Sequence, residues 1–309
     1  MYDTVSLWQN GCDVAGGNPF AILPHLCDVT PPHLNKYGIE VASGQVLDFF
    51  VYVTQSGISL KGSLCKSYFG DNIHTLQRGD VKKAIEMLND HLHIDLSSAK
   101  VTRIDVATNI PTKRPPIDYY PFFGEKTRFR KVRATDETLY YNNHQRQLVF
   151  YDKGKEAKAK GVIVPEPLRN DNLFRYECRI PKRVNRQLKT DVTASTLYDD
   201  KFYFGIIQSW YNEFKEIQKL KEQGFMTKGI NSKKTAKEGF FAHLIQKEGA
   251  SIIDEYVNAL KADNAFSSRS DYTKLRTELN QMLVAKNGNK TELMQELETT
   301  IFSIAKYAR

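Results

Sequence analysis

The segment LFRYECRI, residues 173–180, restricts the fold more than any other stretch of the chain. Successive side chains of a strand point to opposite sides. Phe174, Tyr176, Cys178 and Ile180 therefore share one face, and Arg175, Glu177 and Arg179 share the other. Such a strand needs an apolar layer on one side and an ionic or wetted surface on the other. Two more segments make the same demand. In VTRIDVATN (101–109), Ile104 and Val106 oppose Arg103 and Asp105, and in LVFYDKGKE (148–156) Tyr151 and Lys153 share a side. Set in one sheet, the three strands bring Asp105, Tyr151, Lys153 and Glu177 onto a single polar surface.

The rest of the chain supplies the layer that such a sheet requires. The first 70 or so residues read as short strands (DTVSLW, GIEVAS, VLDFFVYVT, GISLKGSLC) separated by Gly, Asn and Pro. Val81, Ala84, Ile85, Leu88 and Leu92 recur at helical spacing, which predicts a helix over Asp80–Leu92 with Asp80 as its N-cap. Residues 111–133 are Pro-rich, basic and aromatic, and 137–153 reads as a hairpin turning near Asn142-Asn143. From Thr196 onward the pattern is helical. It runs through Phe202, Ile206, Trp210 and Phe214, then Ile252, Ile253, Tyr256, Val257 and Leu260, then Leu275, Leu279, Met282 and Leu283, to a last helix from Thr291. Ala265–Ser270 reads as an interhelix loop. The expected fold class is α+β: a largely antiparallel sheet with packed helices, followed by an all-helical C-terminal region. The expected division is 1–195 and 196–309.

Charge narrows the partners. The net charge of +8 suits a polyanion. The four cysteines contain no CxxC pair, which excludes zinc-knuckle and thioredoxin-like readings and fits reduced thiols in a cytosolic chain. Met1-Tyr2-Asp3 does not open a signal peptide, and the longest apolar run, Val46 to Val53, is interrupted by Asp48 and too short for a membrane span. A soluble, cytoplasmic protein without a membrane partner is expected. Gly16-Gly17-Asn18-Pro19 is a turn, because no GKS or GKT follows.

Two carboxylates on adjacent strands can hold Mg²⁺ or Mn²⁺ through hard oxygen ligands. Such an ion polarises a phosphodiester. A phenol, with a free pKa of about 10, needs that help to attack phosphorus, and a lysine can steady the phenolate or the transition state. Asp105 and Glu177 are the candidate ligands, Tyr151 the candidate nucleophile and Lys153 its helper. Glu156 is a third ligand, a general base or a solvated residue in the first turn of a helix. The plainer alternative is a set of cross-strand salt bridges on a solvated sheet face.

The ordered set VTRIDVATN, RQLVFYDKGKE and LFRYECRIPKR resembles the gene II/X replication proteins of filamentous phages and their plasmid relatives. It is more distantly similar to the replication-initiator transesterases of Gram-positive rolling-circle plasmids. SLCKSYFGDNIHTLQRGDVKKAIEMLNDHL resembles the family's region before the first motif, and the likeness spans roughly residues 55–190. It implies that Tyr151 becomes joined to the 5′ phosphate of a nicked origin strand, with Asp105 and Glu177 as the acids of the strand and RYE-type motifs. It further implies a bacterial host cell, whose polymerase extends the freed 3′ hydroxyl and whose helicase opens the duplex. The last third is outside the likeness.

Lys113, Arg114, Lys126, Arg128, Arg130, Lys131 and Arg133 alternate with Tyr119, Tyr120, Phe122, Phe123 and Phe129. The mixture suits single-stranded DNA, with rings stacking on bases, and equally suits a surface loop anchored by its aromatics. Arg103, Arg175, Arg179, Lys182 and Arg183, with Arg128 and Arg130, are the expected phosphate contacts. His91-Leu92-His93 is not a metal pair, because Leu92 continues a helical stripe and sends the histidines apart. The alternative to a nickase is a non-catalytic single-stranded DNA-binding regulator of replication. Tyr140 and Tyr141, on the partner strand of the hairpin, read as packing residues.

Overall fold

The structure, a computed structural model, describes residues 1–135, 137–168, 172–220, 231–248, 251–282 and 291–308. Its strands in chain order are β1 (Tyr2–Asn10), β2 (Cys27–Leu34), β3 (Glu40–Val46), β4 (Phe49–Thr54) and β5 (Gly57–Ser63), then β6 (Lys100–Thr112), β7 (Arg130–Thr135), β8 (Thr138–Asn142), β9 (Gln147–Asp152) and β10 (Asn172–Ile180). All ten join one sheet in the order β2-β3-β4-β5-β1-β6-β10-β9-β8-β7. Every pairing is antiparallel. Two hairpin meanders, β2–β5 and β7–β9, flank a centre made by β1, β6 and β10. At Gly57 the chain takes φ 153°, and a Cβ there would lie 2.3 Å from the Gln9 carbonyl oxygen, so only glycine lets β5 lie against β1.

The helices are α1 (Leu64–Phe69), α2 (Arg78–Leu92), α3 (Lys153–Ala159), α4 (Val184–Leu188), α5 (Asp200–Lys215), α6 (Lys233–Glu248), α7 (Ser251–Ala262), α8 (Arg269–Met282) and α9 (Glu292–Tyr307). The fold is thus α+β with a helical C-terminal region, as expected. In α2 the five apolar residues read from the sequence are all buried. Its N-cap is Gln77 rather than Asp80. Asp80 stands at the third helical position, where its carboxylate accepts from the Gln77 amide at 3.1 Å. His91 turns its ring back to the Met87 carbonyl, while His93 caps the helix and packs on His25, so the two histidines diverge.

One face of the central strands is apolar and carries the helices. The Tyr176 ring stacks on Phe150 at 4.7 Å and on Trp210 of α5 at 4.8 Å, and its hydroxyl donates to the Trp210 carbonyl at 2.9 Å. Tyr203, Ile207 and Phe214 of α5 and Met294, Leu297 and Ile301 of α9 belong to the same core. Packing therefore does not divide at residue 195, because α5 and α9 complete the layer over the sheet. A separate cluster of Leu220, Ile245, Ile253, Val257 and Tyr272 holds α6, α7 and α8 together. Thr291 caps α9, and the loop before α8 ends at Ser268. Leu283 lies outside the described residues. No described helix is long and apolar enough to cross a membrane.

Candidate active site

Strand register aligns three rows of residues on the face opposite α5, the face on which Ala157 of α3 packs against Leu173. One runs Thr138–Tyr151–Arg175–Asn109, the next Val132–Tyr140–Val149–Glu177–Ala107, and the third Arg130–Asn142–Gln147–Arg179–Asp105. The alternation in LFRYECRI and VTRIDVATN thus does bring Asp105, Tyr151 and Glu177 to one side of one sheet.

There they form an ionic lattice. The Tyr151 hydroxyl donates to Glu177 Oε1 at 2.9 Å, and Arg175 Nε donates to the same oxygen at 2.6 Å. Arg179 Nε donates to Glu177 Oε2 at 2.7 Å and its Nη1 to Gln147 Oε1 at 2.9 Å. Arg175 reaches Asp3 with Nη2 at 2.5 Å, and the Asn72 carbonyl and Asn109 Oδ1 with Nη1, both at 3.0 Å. Asp105 accepts from Arg103 Nη2 at 2.6 Å, and Arg179 Nε lies 4.0 Å from it. The Arg175 guanidinium also sits 6.0 Å from the centre of the Tyr151 ring.

The surface expected to be wet is largely dry. Asp105 and Arg175 are 2% exposed and Glu177 3%, while Tyr151 is half-buried. Burial alone would push the Glu177 carboxyl up. The charges of Arg175 and Arg179, and their hydrogen bonds, reverse this and hold it at about 2. Tyr151 moves the other way. Burial raises its phenol well above 10, and although Arg175 opposes this, the Glu177 and Glu156 charges add to it. Burial also raises Asp105, against the pull of Arg103.

Lys153 is not on a strand with Tyr151. Asp152 ends β9 and caps α3 by accepting from the Lys155 amide at 2.9 Å, so Lys153 opens the helix. Its buried ammonium donates to Asn72 Oδ1 at 2.6 Å and to Glu156 at 2.5 Å. Burial, then the nearby Arg175 charge, pulls its pKa down. Glu156 is a half-buried residue in the first turn of α3, paired with Lys153 and Lys160.

A metal site made from Asp105, Glu177 and Glu156 does not fit this arrangement. Both Glu177 oxygens are taken by guanidinium groups, Asp105 is engaged by Arg103 and Glu156 by two lysines. Among the described residues no three His, Cys, Asp or Glu side chains gather into a possible metal cage.

The expected phosphate contacts divide by burial. Arg128, Arg130, Lys182 and Arg183 are exposed, and Arg103 and Arg179 keep about a quarter of their side-chain surface open. Arg175 is an internal cation with no open surface to offer DNA. The aromatic segment takes the second of its two readings: Tyr119, Tyr120 and Phe123 face the core, and the Phe123 ring lies 4.9 Å from Phe150. Lys126 is buried as well, tied to Glu213 and Glu216 at 3.1 and 2.6 Å. Those rings anchor the segment and cannot stack on bases.

Sequence reasoning missed Asp3, Asn72 and Asn109. Asn109 was within reach of it, since Asp105, Ala107 and Asn109 alternate on one face of β6. Asp3 becomes a partner of Arg175 through the pairing of β1 with β6, and Asn72 through a loop shaped by Asp71, whose carboxylate accepts from the Ile73 and His74 amides. No local pattern announces either.

A broad antiparallel sheet with α5 packed on one face, and a tyrosine among arginines and carboxylates on the other, defines an α+β protein. The chain belongs to the phage family of replication-associated gene II proteins: the model of that family's N-terminal region matches residues 23–200, more than half of the chain. Its role lies in replication initiation. No curated protein matches it.

Proposed function

We propose that the chain is a rolling-circle initiator that nicks and rejoins origin DNA through a 5′-phosphotyrosine at Tyr151. One observation carries the reading: the Tyr151 hydroxyl is held by Glu177 inside a guanidinium cluster, on the face of the sheet opposite α5. In the reaction the Tyr151 oxygen forms a bond to phosphorus and the bond from phosphorus to the 3′ oxygen breaks. The phenol loses its proton and the departing 3′ oxygen gains one. One phosphodiester replaces another, so the step reverses at little cost and the strand can be rejoined. Arg103 and Arg179, the two partly open guanidinium groups, would meet the phosphate. Charge-assisted hydrogen bonds from them would stabilise the crowded, more negative phosphorus centre.

The expected Mg²⁺ or Mn²⁺ has no vacant carboxylate oxygen here, and the mechanism is stated without it. The test incubates the full chain with a labelled single-stranded origin fragment in Mg²⁺ buffer and looks for an adduct that survives denaturation. Wild type should form it and Tyr151→Phe should not. An equal adduct from Tyr151→Phe would remove Tyr151 from the chemistry. Salt-sensitive binding with no adduct from either protein would favour the regulator.

A further inference from the structure

On β7, the last strand of the sheet, the core side turns cationic. Lys131 and Arg133 pair with Tyr141 and Leu139, so they lie on the face that carries core side chains in β8 and β9, the face opposite Tyr151. They line a cavity of about 490 Å³, to which α7 contributes Lys261 and α8 contributes Arg276, with Arg130 completing a lining of five cations.

Acids do not balance these charges. Glu125 and Asp254 share the lining, and Asp254 is already paired with Arg276 at 2.8 Å. Burial brings the Lys131 ammonium down to about 8; Glu125 and Asp254 oppose the fall and the Arg133 charge adds to it, and the group stays charged at neutral pH. Cations gathered from three elements repel one another, and an anion that enters among them is held by charge-assisted hydrogen bonds. Five cations against two acids leave an excess of three charges. One phosphate group carries only about −1.5 to −2 at neutral pH, so two or three linked phosphates match the excess. The volume is that of a small-molecule site, roughly 300–1,000 Å³. Tyr120, Leu139 and Ile253 add an apolar part to the lining, with the Tyr120 ring centre 5.9 Å from the Arg133 guanidinium.

We propose that the cavity between β7 and α7–α8 binds a nucleoside di- or triphosphate, with Lys131, Arg133, Lys261 and Arg276 on the phosphates and Tyr120, Leu139 and Ile253 against the nucleoside. The site is on the other side of the sheet from Tyr151 and stands apart from the nicking reading. Its ligand bridges the sheet edge to α7 and α8, so binding fastens the helical region to the sheet.

The experiment follows the thermal midpoint of the full chain, without DNA and in chloride buffer, against inorganic triphosphate and against a nucleoside triphosphate. Both should raise the midpoint saturably, the nucleoside triphosphate at the lower concentration. Lys261→Gln takes an exposed lysine out of the lining and should weaken both ligands about ten-fold or more. Lys274→Gln removes the same charge from α8 outside the cavity and should change neither. No rise with the nucleoside triphosphate, or equal weakening by the two variants, overturns the proposal. Binding of a single-stranded oligonucleotide that depends on Lys261, with no such dependence for the nucleotide, would give the cavity to a strand and overturn it as well.

Discussion

Replacing Glu177 by glutamine removes one charge from the centre of the lattice and leaves its shape nearly intact. The carboxyl titrates at about 2 in the folded chain, against 4.5 when unperturbed. A folded value below the unfolded one means that the ionised group stabilises the fold above pH 4.5, and that this stabilisation is lost as pH falls through 2. The difference corresponds to about 3 kcal/mol at pH 7 and about 2 kcal/mol at pH 3.5. The other titrating groups are common to both proteins, so subtracting the two stability curves reports Glu177 together with its charge coupling to Asp105. Urea unfolding followed by tryptophan fluorescence at several pH values between 7 and 3.5 gives the curves, Trp210 being stacked in the core on Tyr176. Wild type should exceed Glu177→Gln by about 3 kcal/mol at pH 7, with the gap narrowing toward acid. A gap that is absent at neutral pH, or constant down to pH 3.5, would show that Arg175 and Arg179 do not hold the carboxylate as described.

Three more outcomes follow from the same geometry. Phe123→Ala should cost about 3–5 kcal/mol of stability, since the ring is fully buried, and should leave single-strand affinity unchanged where the variant is folded; a selective loss of affinity would restore the base-stacking reading. Adding Mg²⁺ or Mn²⁺ to the DNA-free chain should leave its thermal midpoint in place, because the carboxylate oxygens are occupied by cations; a metal-dependent rise that Glu177→Gln abolishes would contradict this. Arg179→Gln should raise the Glu177 titration by about one unit or more, read from the carboxyl carbon by NMR, whereas no movement would assign the whole effect to Arg175.

The sheet was legible because its alternation is strict. VTRIDVATN and LFRYECRI each put charge on one face and apolar side chains on the other, QLVFYD sets Leu148 and Phe150 against Gln147 and Tyr151, and no helix satisfies that pattern. What period two does not reveal is how much water reaches the charged face. Arg175 and Glu177 look exposed in a list of residue types, yet they neutralise each other and are closed over by Asp3, Asn72 and Asn109. Two of those partners come from segments far away in the chain. Lys153 was misplaced for a local reason: Asp152 begins a helix, and the alternation stops one residue after Tyr151. The aromatic segment at 111–133 admitted two readings because stacking on a base and packing in a core use the same rings, and only the position of Phe123 against Phe150 separates them. A boundary at 195 followed the change of period, but α5 carries an apolar face wide enough to cover the sheet, and it packs there.

The hydrogen bond from Tyr151 to Glu177 has a consequence for the chemistry. The phenol titrates above 10 and its acceptor near 2. Burial holds the phenol up while the arginines hold the carboxylate down, and both oppose moving the proton along that bond. Under the proposed reaction Glu177 becomes a better proton acceptor only where an arginine leaves it. Arg179 fits this role better than Arg175, because a quarter of its side-chain surface is open while Arg175 is sealed between Asp3 and Glu177. Under the proposed reaction, a phosphate that draws Arg179 off Glu177 would make the carboxylate more basic and would place the electrophilic phosphorus within reach of the phenol. The substrate itself would then supply the activation, and a chain without DNA would keep its tyrosine inert.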